Sequence, residues 1–141
     1  MESFFKNKAY QVLLDIMKLH FHRSHNLLDK VDIYPGQPPL MMVLNEQDGQ
    51  SQSELAEKLK IKPATITVMI NRMEKVDLLE RRRDAEDQRV SRVYLTDKGR
   101  EKVKVVMDIL EKISTECLKG FDEQEGESLY EFLLRIKSNL S

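Results

Sequence analysis

Residues 79–99 read LERRRDAEDQRVSRVYLTDKG. Two short candidate strands, Leu79 to Arg83 and Val90 to Leu95, flank a polar loop, Asp84-Ala85-Glu86-Asp87-Gln88-Arg89, that is longer than a tight hairpin turn needs. The second strand alternates, with Val93 and Leu95 turned one way and Arg92 and Tyr94 the other. What precedes this hairpin decides how to read it.

Upstream, Ser51-Gln52-Ser53-Glu54 has the capping-box spacing, in which the serine oxygen accepts from the third backbone N–H and Glu54 reaches back. A short helix follows, burying Leu55, Ala56 and Leu59. Lys60 to Lys62 separate it from a helix that opens at Pro63 and buries Ile66, Met69, Ile70, Met73 and Val76. Two short helices joined by a tight turn form a helix-turn-helix, and followed by a charged hairpin they form a winged helix. The fold class predicted is mainly α with a small β wing.

The flanks are helical. Ala9, Val12, Leu13, Ile16, His20, Leu27, Leu28 and Val31 fall at a mostly three-and-four spacing, and this helix stops before Tyr34-Pro35-Gly36. A second helix begins at Pro38-Pro39 and ends at Asp48-Gly49. After the wing, Thr96-Asp97 caps a helix whose seam, Val103, Val106, Leu110, Ile113 and Cys117, repeats at coiled-coil spacing. Gly120 ends it, Asp122 and Glu125 form a second capping box, and a last helix carries Leu129, Phe132, Leu133, Ile136 and Leu140. Such apolar stripes need a partner surface. The organisation expected is a single unit, with helices at residues 1–34 and 97–141 flanking a winged helix at 35–96.

A chain of 141 residues with 40% hydrophobic and 33% charged residues is a folded, helix-favouring mixture. Its lone Cys117 excludes a disulfide scaffold, the segment Met1-Glu2-Ser3-Phe4-Phe5-Lys6 lacks a leader's apolar core, and no stretch is long enough to span a membrane. These features predict a cytoplasmic protein with no membrane partner. The formal net charge of −1 hides a segregation: residues 58–104 carry 14 Lys/Arg against 8 Asp/Glu, a balance of +6, and the remainder carries −7. A basic middle points to an anionic partner there and to a different task for the ends.

The runs Ser53-Glu54-Leu55-Ala56-Glu57-Lys58-Leu59, Ala64-Thr65-Ile66-Thr67 and Asn71-Arg72-Met73-Glu74-Lys75 resemble the MarR family (multiple antibiotic resistance regulators). So do Leu79 to Asp84, Asp87-Gln88-Arg89 and Tyr94 to Gly99, in the family's order and spacing. The resemblance implies a homodimer with interdigitating terminal helices, two winged helices on successive turns of double-stranded DNA, repression of transcription, and release by a small-molecule effector or an oxidant. The family often has Arg where this chain has Val68, and Gly where it has Lys60 and Asp77.

On the helix from Pro63, burying one face turns Ala64, Thr67, Val68, Asn71 and Lys75 outward, with Thr65 and Arg72 at the flanks. This face is the one that would enter a major groove. Asparagine pairs bidentately with adenine, and Thr, Ala and Val methyls suit the thymine methyl, which predicts an A·T-rich inverted repeat. Ser51, Ser53 and Lys62 complete the interface expected at the two helix starts. At the wing, Arg89 is expected to reach a minor groove, held by Asp87 as the resemblance implies; Arg81, Arg82, Arg83 and Arg92 are candidate phosphate contacts of which strand alternation lets only some face DNA, Arg83 and Arg92 being the two assigned, and the rest are solvated.

By the resemblance, an effector would lodge against Met17, His20, Phe21, Met41 and Met42. His20, His22 and His25 lack enough partners at ligand spacing for zinc, so neither metal nor cofactor is expected. Cys117, on an apolar seam, is expected to be buried and inert. No Gly-rich phosphate loop or catalytic triad order is present, so the chain is not read as an enzyme. The competing reading is a winged-helix protein-interaction adaptor that does not touch DNA, against which the basic strand beside Asp87-Gln88-Arg89 argues.

Overall fold

A computed structural model describes residues 7–141, so the first six residues, on which the leader was judged, lie outside the described part. The helices are α1 (Lys8–Asp29), α2 (Gln37–Glu46), α3 (Gln52–Leu59), α4 (Pro63–Lys75), α5 (Asp97–Cys117) and α6 (Glu123–Leu140). The strands are β1 (Gln50–Ser51), β2 (Leu79–Arg83) and β3 (Ser91–Leu95), in the antiparallel order β1-β3-β2. Winged-helix topology follows directly. Two compact units result, the first ending at Ile109 and the second running from Leu110 to Ser141.

Each helix start has a local cause. Asn7 accepts from the Tyr10 N–H at 3.1 Å and starts α1 ahead of its first apolar residue. Gly36, at φ 91°, turns the chain into α2, and the Gln37 side chain reaches back to accept from the Tyr34 N–H at 3.0 Å. Ser51 accepts from the Glu54 N–H at 3.2 Å, forming the serine half of the anticipated box. Glu54 instead lies 4.0 Å from the Arg92 guanidinium.

β1 escaped the sequence reading because two residues show no alternation. Its register sets Gln50 opposite Val93 and Ser51 opposite Arg92, and the Gly49 N–H donates to the Val93 carbonyl at 3.0 Å. Gln50 is only 1% exposed, yet its amide is satisfied: it donates to the Val43 and Gln47 carbonyls and accepts from Lys58 Nζ at 2.7 Å.

The core of the first unit lies beneath the helix-turn-helix. Leu40, Met41 and Leu44 of α2 meet Leu55 of α3, Ile66, Ile70 and Met73 of α4, Val93 and Leu95 of β3, and Val103 and Val106 of α5. β2 faces β3 with Leu79 opposite Leu95 and Arg81 opposite Val93. Thr96 ties the wing to α5, accepting from the Gly99 N–H at 2.9 Å and donating to the Asp77 carbonyl at 2.6 Å.

Lys60 and Asp77 hold left-handed conformations, at φ 54° and 61°. A side chain there costs about 1 kcal/mol relative to glycine. Lys60→Gly and Asp77→Gly are each expected to raise stability by about 0.5–1 kcal/mol, read as a higher urea midpoint at unchanged slope.

In the second unit the Asp122–Glu125 capping box forms fully, at 2.8 and 3.1 Å. α6 buries none of its residues, and Tyr130, Phe132 and Leu133 stand exposed. Cys117 is exposed as well, contrary to the expected burial: a seam shields its residues only where something lies on it.

Candidate nucleic-acid interface

The buried stripe of α4, Ile66, Ile70 and Met73, fixes what the helix offers outward. Ala64, Thr65, Val68, Asn71, Arg72 and Lys75 are exposed, as is Lys62 at the N-cap. Thr67 is half-buried, and both functions of its hydroxyl are occupied. Its Oγ1 donates to the Pro63 carbonyl at 3.0 Å and accepts from Gln52 Nε2 at 3.0 Å, which joins the first turn of α3 to α4. Ser51 is spent on its cap while Ser53 is exposed.

Asn71 is engaged from behind. Arg81 of β2 donates through Nη2 to Asn71 Oδ1, and its Nε lies 3.1 Å from the Glu74 carboxylate as an ion pair. The partnerships that sequence reasoning missed are those of Gln52 with Thr67 and of Arg81 with Asn71. Neither carries a local signal, since each acts across a tertiary contact.

At the wing the Arg89 side chain is 90% exposed, yet it is held in one direction. Its Nε and Nη2 donate to the two oxygens of Asp87 at 3.1 and 3.2 Å, and its backbone N–H donates to the same carboxylate. The Arg89 guanidinium and N–H hold the Asp87 carboxyl below the ordinary aspartate range. A guanidinium held this way is pre-aimed.

Arg92 is engaged within the fold. Its Nε and Nη2 both donate to Asp84 Oδ2, at 3.1 and 3.0 Å, and its Nη1 donates to the Gly49 carbonyl at 3.1 Å. A guanidinium with three bonds inside the fold braces the wing against β1, a role the sequence did not announce beside the expected DNA contact. The Glu86 N–H, followed by Arg92, pulls the Asp84 carboxyl below its usual range, and Asp84 in turn pushes Arg92 further up. Of the neighbouring arginines, Arg82 lies 4.4 Å over the Tyr94 ring and pairs with Glu80, while Arg83 is exposed.

Among the described residues, the expected effector residues divide between core and surface. Met41 is fully buried in the core and Met42 packs against it, whereas Met17, His20 and Phe21 are exposed on α1. Met41 is therefore corrected from a ligand contact to a core residue, because a 0%-exposed side chain touches only its neighbours. A cavity of about 670 Å³ is lined by Tyr34, Arg72, Lys75, Val76, Lys98 and Lys102 among others. Phe21 stacks on His25 at 6.1 Å and meets His22 edge-on at 5.9 Å. Among the described residues no three His, Cys, Asp or Glu side chains converge as a metal site, and no helix is long and apolar enough to cross a membrane.

The model of the MarR family matches residues 33–91. YdgJ of Bacillus subtilis (strain 168), named an uncharacterized HTH-type transcriptional regulator, is 32% identical over 102 residues, 72% of this chain and 62% of that protein. The matched stretch thus spans less than two thirds of that relative's length. Among solved structures, a putative MarR-like transcription regulator from Bacillus cereus ATCC 10987 superposes with a TM-score of 0.82 at 28% identity, covering 98% of this chain and 99% of that one. The transcriptional repressor CouR, solved on a 23-mer DNA duplex, shares the fold with a TM-score of 0.80 at 21% identity, over 95% of this chain and 94% of its own.

Proposed function

Because this chain belongs to the MarR family, we propose that it is a sequence-specific regulator of transcription that binds double-stranded DNA as a homodimeric repressor. In this reading α4 enters the major groove of each half-site and Arg89 the adjacent minor groove. The operator is an inverted repeat, A·T-rich at its methyl-reading and minor-groove positions, and a small-molecule effector releases it. The observation that carries the reading is the pairing of an exposed α4 face with an Arg89 side chain that is 90% exposed yet fixed by Asp87. Both side-chain oxygens of Asp87 are engaged by that one guanidinium and its backbone N–H, which fixes the direction of Arg89. The exposed apolar residues of α1 and α6, Val12, Ile16, Phe132 and Leu133 among them, support the second copy.

The test is selection of bound sequences from random DNA by the full chain, in which an inverted repeat with half-sites about 10 bp apart is expected. Arg89→Ala is expected to weaken binding of the selected duplex about tenfold or more and to lower the slope of log K against log salt by about one phosphate's worth. Arg92→Met, in contrast, is expected to weaken binding at unchanged slope, because that guanidinium touches the fold and not the phosphates. An unselective pool, or binding indifferent to salt, would return the chain to the adaptor reading.

A further inference from the structure

We infer that Arg81 sets Asn71 to read the major groove chiefly as a donor, so that the base under Asn71 is guanine and not the adenine that a free asparagine matches. The inference rests on the DNA-reading function proposed above and assigns the specificity at one position of that site.

Bidentate recognition of adenine needs both halves of the asparagine amide. Nδ2 donates to adenine N7 while Oδ1 accepts from the N6 amino group. In this chain one of the two acceptor positions of Oδ1 is filled by Arg81 Nη2, which turns the carbonyl towards β2 and sets a cation beside it, so the oxygen is a poorer acceptor for adenine's amino group than that of a free asparagine. The assignment does not depend on which way the amide is drawn: a guanidinium has five donors and no acceptor, so only the carbonyl oxygen can face it.

The hold is built to persist. Arg81 sits in mid-strand on β2, opposite Val93, with its side chain only 28% exposed. Its Nε lies 3.1 Å from the carboxylate of Glu74, one helical turn beyond Asn71 on the same helix. One guanidinium therefore lies against two residues of α4, hydrogen-bonded to Asn71 and ion-paired with Glu74, and because its Nε makes no hydrogen bond of its own, the bond to Asn71 is the one that satisfies this side chain.

The group left freest to face DNA is the Asn71 amino group, with two N–H donors. Guanine presents two acceptors, N7 and O6, to such a group, whereas adenine presents one acceptor beside a donor, which sets N–H against N–H. Thr67 is committed in the same manner. With its hydroxyl bound to Pro63 and Gln52, chiefly its methyl is left for contact, which keeps the thymine preference at that position. The half-site expected is thus mixed, with thymine under the methyls and guanine under Asn71.

The experiment compares sequences selected from random duplexes by the full-length wild type, Asn71→Ala, Arg81→Met and Arg81→Lys, with thermal melting to establish that each variant folds. Asn71→Ala locates the position, which is the one that loses its preference. There the wild type is expected to favour guanine over adenine about tenfold. Arg81→Met frees the carbonyl and is expected to move the preference to adenine, while Arg81→Lys, still able to donate to Oδ1, is expected to keep guanine. A loss of packing alone would lower affinity without exchanging one base for another. Adenine at this position in the wild type, or an unchanged preference in Arg81→Met, overturns the inference and leaves the DNA-reading function standing. Should Arg81→Met fail to fold, adenine in the wild type or loss of the guanine preference in Arg81→Lys overturns it. A pool with no enriched sequence, or an Asn71→Ala pool that matches the wild type, overturns it by removing the base contact itself.

Discussion

Gly99→Ala is expected to destabilise the protein by about 3 kcal/mol. A Cβ at this position would lie 2.2 Å from the Leu78 carbonyl oxygen, closer than any real contact. Relief cannot come from a side-chain rotation, since the obstacle is backbone. Nor is that backbone free to retreat, because the same carbonyl accepts from the Thr96 N–H at 3.1 Å and the Leu78 side chain is 2% exposed. Leu95 Cδ2 stands 3.2 Å from the same Cβ. The strain therefore falls on the junction of β3 and α5, where Thr96 bonds both Gly99 and Asp77. Urea unfolding read by helical circular dichroism should show a midpoint lowered in proportion. A midpoint like that of the wild type would mean that the first turn of α5 does not pack on Leu78.

Met41→Ala is expected to cost about 2–5 kcal/mol, the range for removing a long buried side chain from a packed core. Met41 is 0% exposed, among neighbours such as Leu40, Leu44 and Ile70 that are themselves almost wholly buried, so the vacated space has no route to solvent. The same measurement decides its role. A residue that merely lines a ligand site would change stability by less than about 1 kcal/mol and would change effector response instead.

Most of the architecture was legible because punctuation and periodicity are local. Pro63 at a first turn, Ser51 and Asp122 as caps, and the alternation from Ser91 to Leu95 each act within a few residues, and the elements they announce begin within a residue or two of the expected places. The basic wing was legible for the same reason. Partnership was less so. Alternation rightly turned Arg92 away from Val93, but its carboxylate, Asp84, comes back to it only through the hairpin, and its second acceptor, the Gly49 carbonyl, is 43 residues away. Arg81 looked like one more surface cation until β2 was laid beside α4. Met41 and Met42 are adjacent in a helix, and nothing in their chemistry separates the core residue from its half-buried neighbour. In each case the missing information was a contact distant in sequence, which single-chain patterning does not encode.

The order β1-β3-β2 leaves β2, among the described residues, with one long side unpaired. An open strand edge invites a strand from another molecule, and such additions are the first step of irreversible clumping. Arg82 and Arg83 lie exposed along that strand, so a second copy approaching edge to edge would bring cation against cation. Arginines first considered for their attraction to phosphate thus also act by repulsion, keeping concentrated protein from polymerising through its wings.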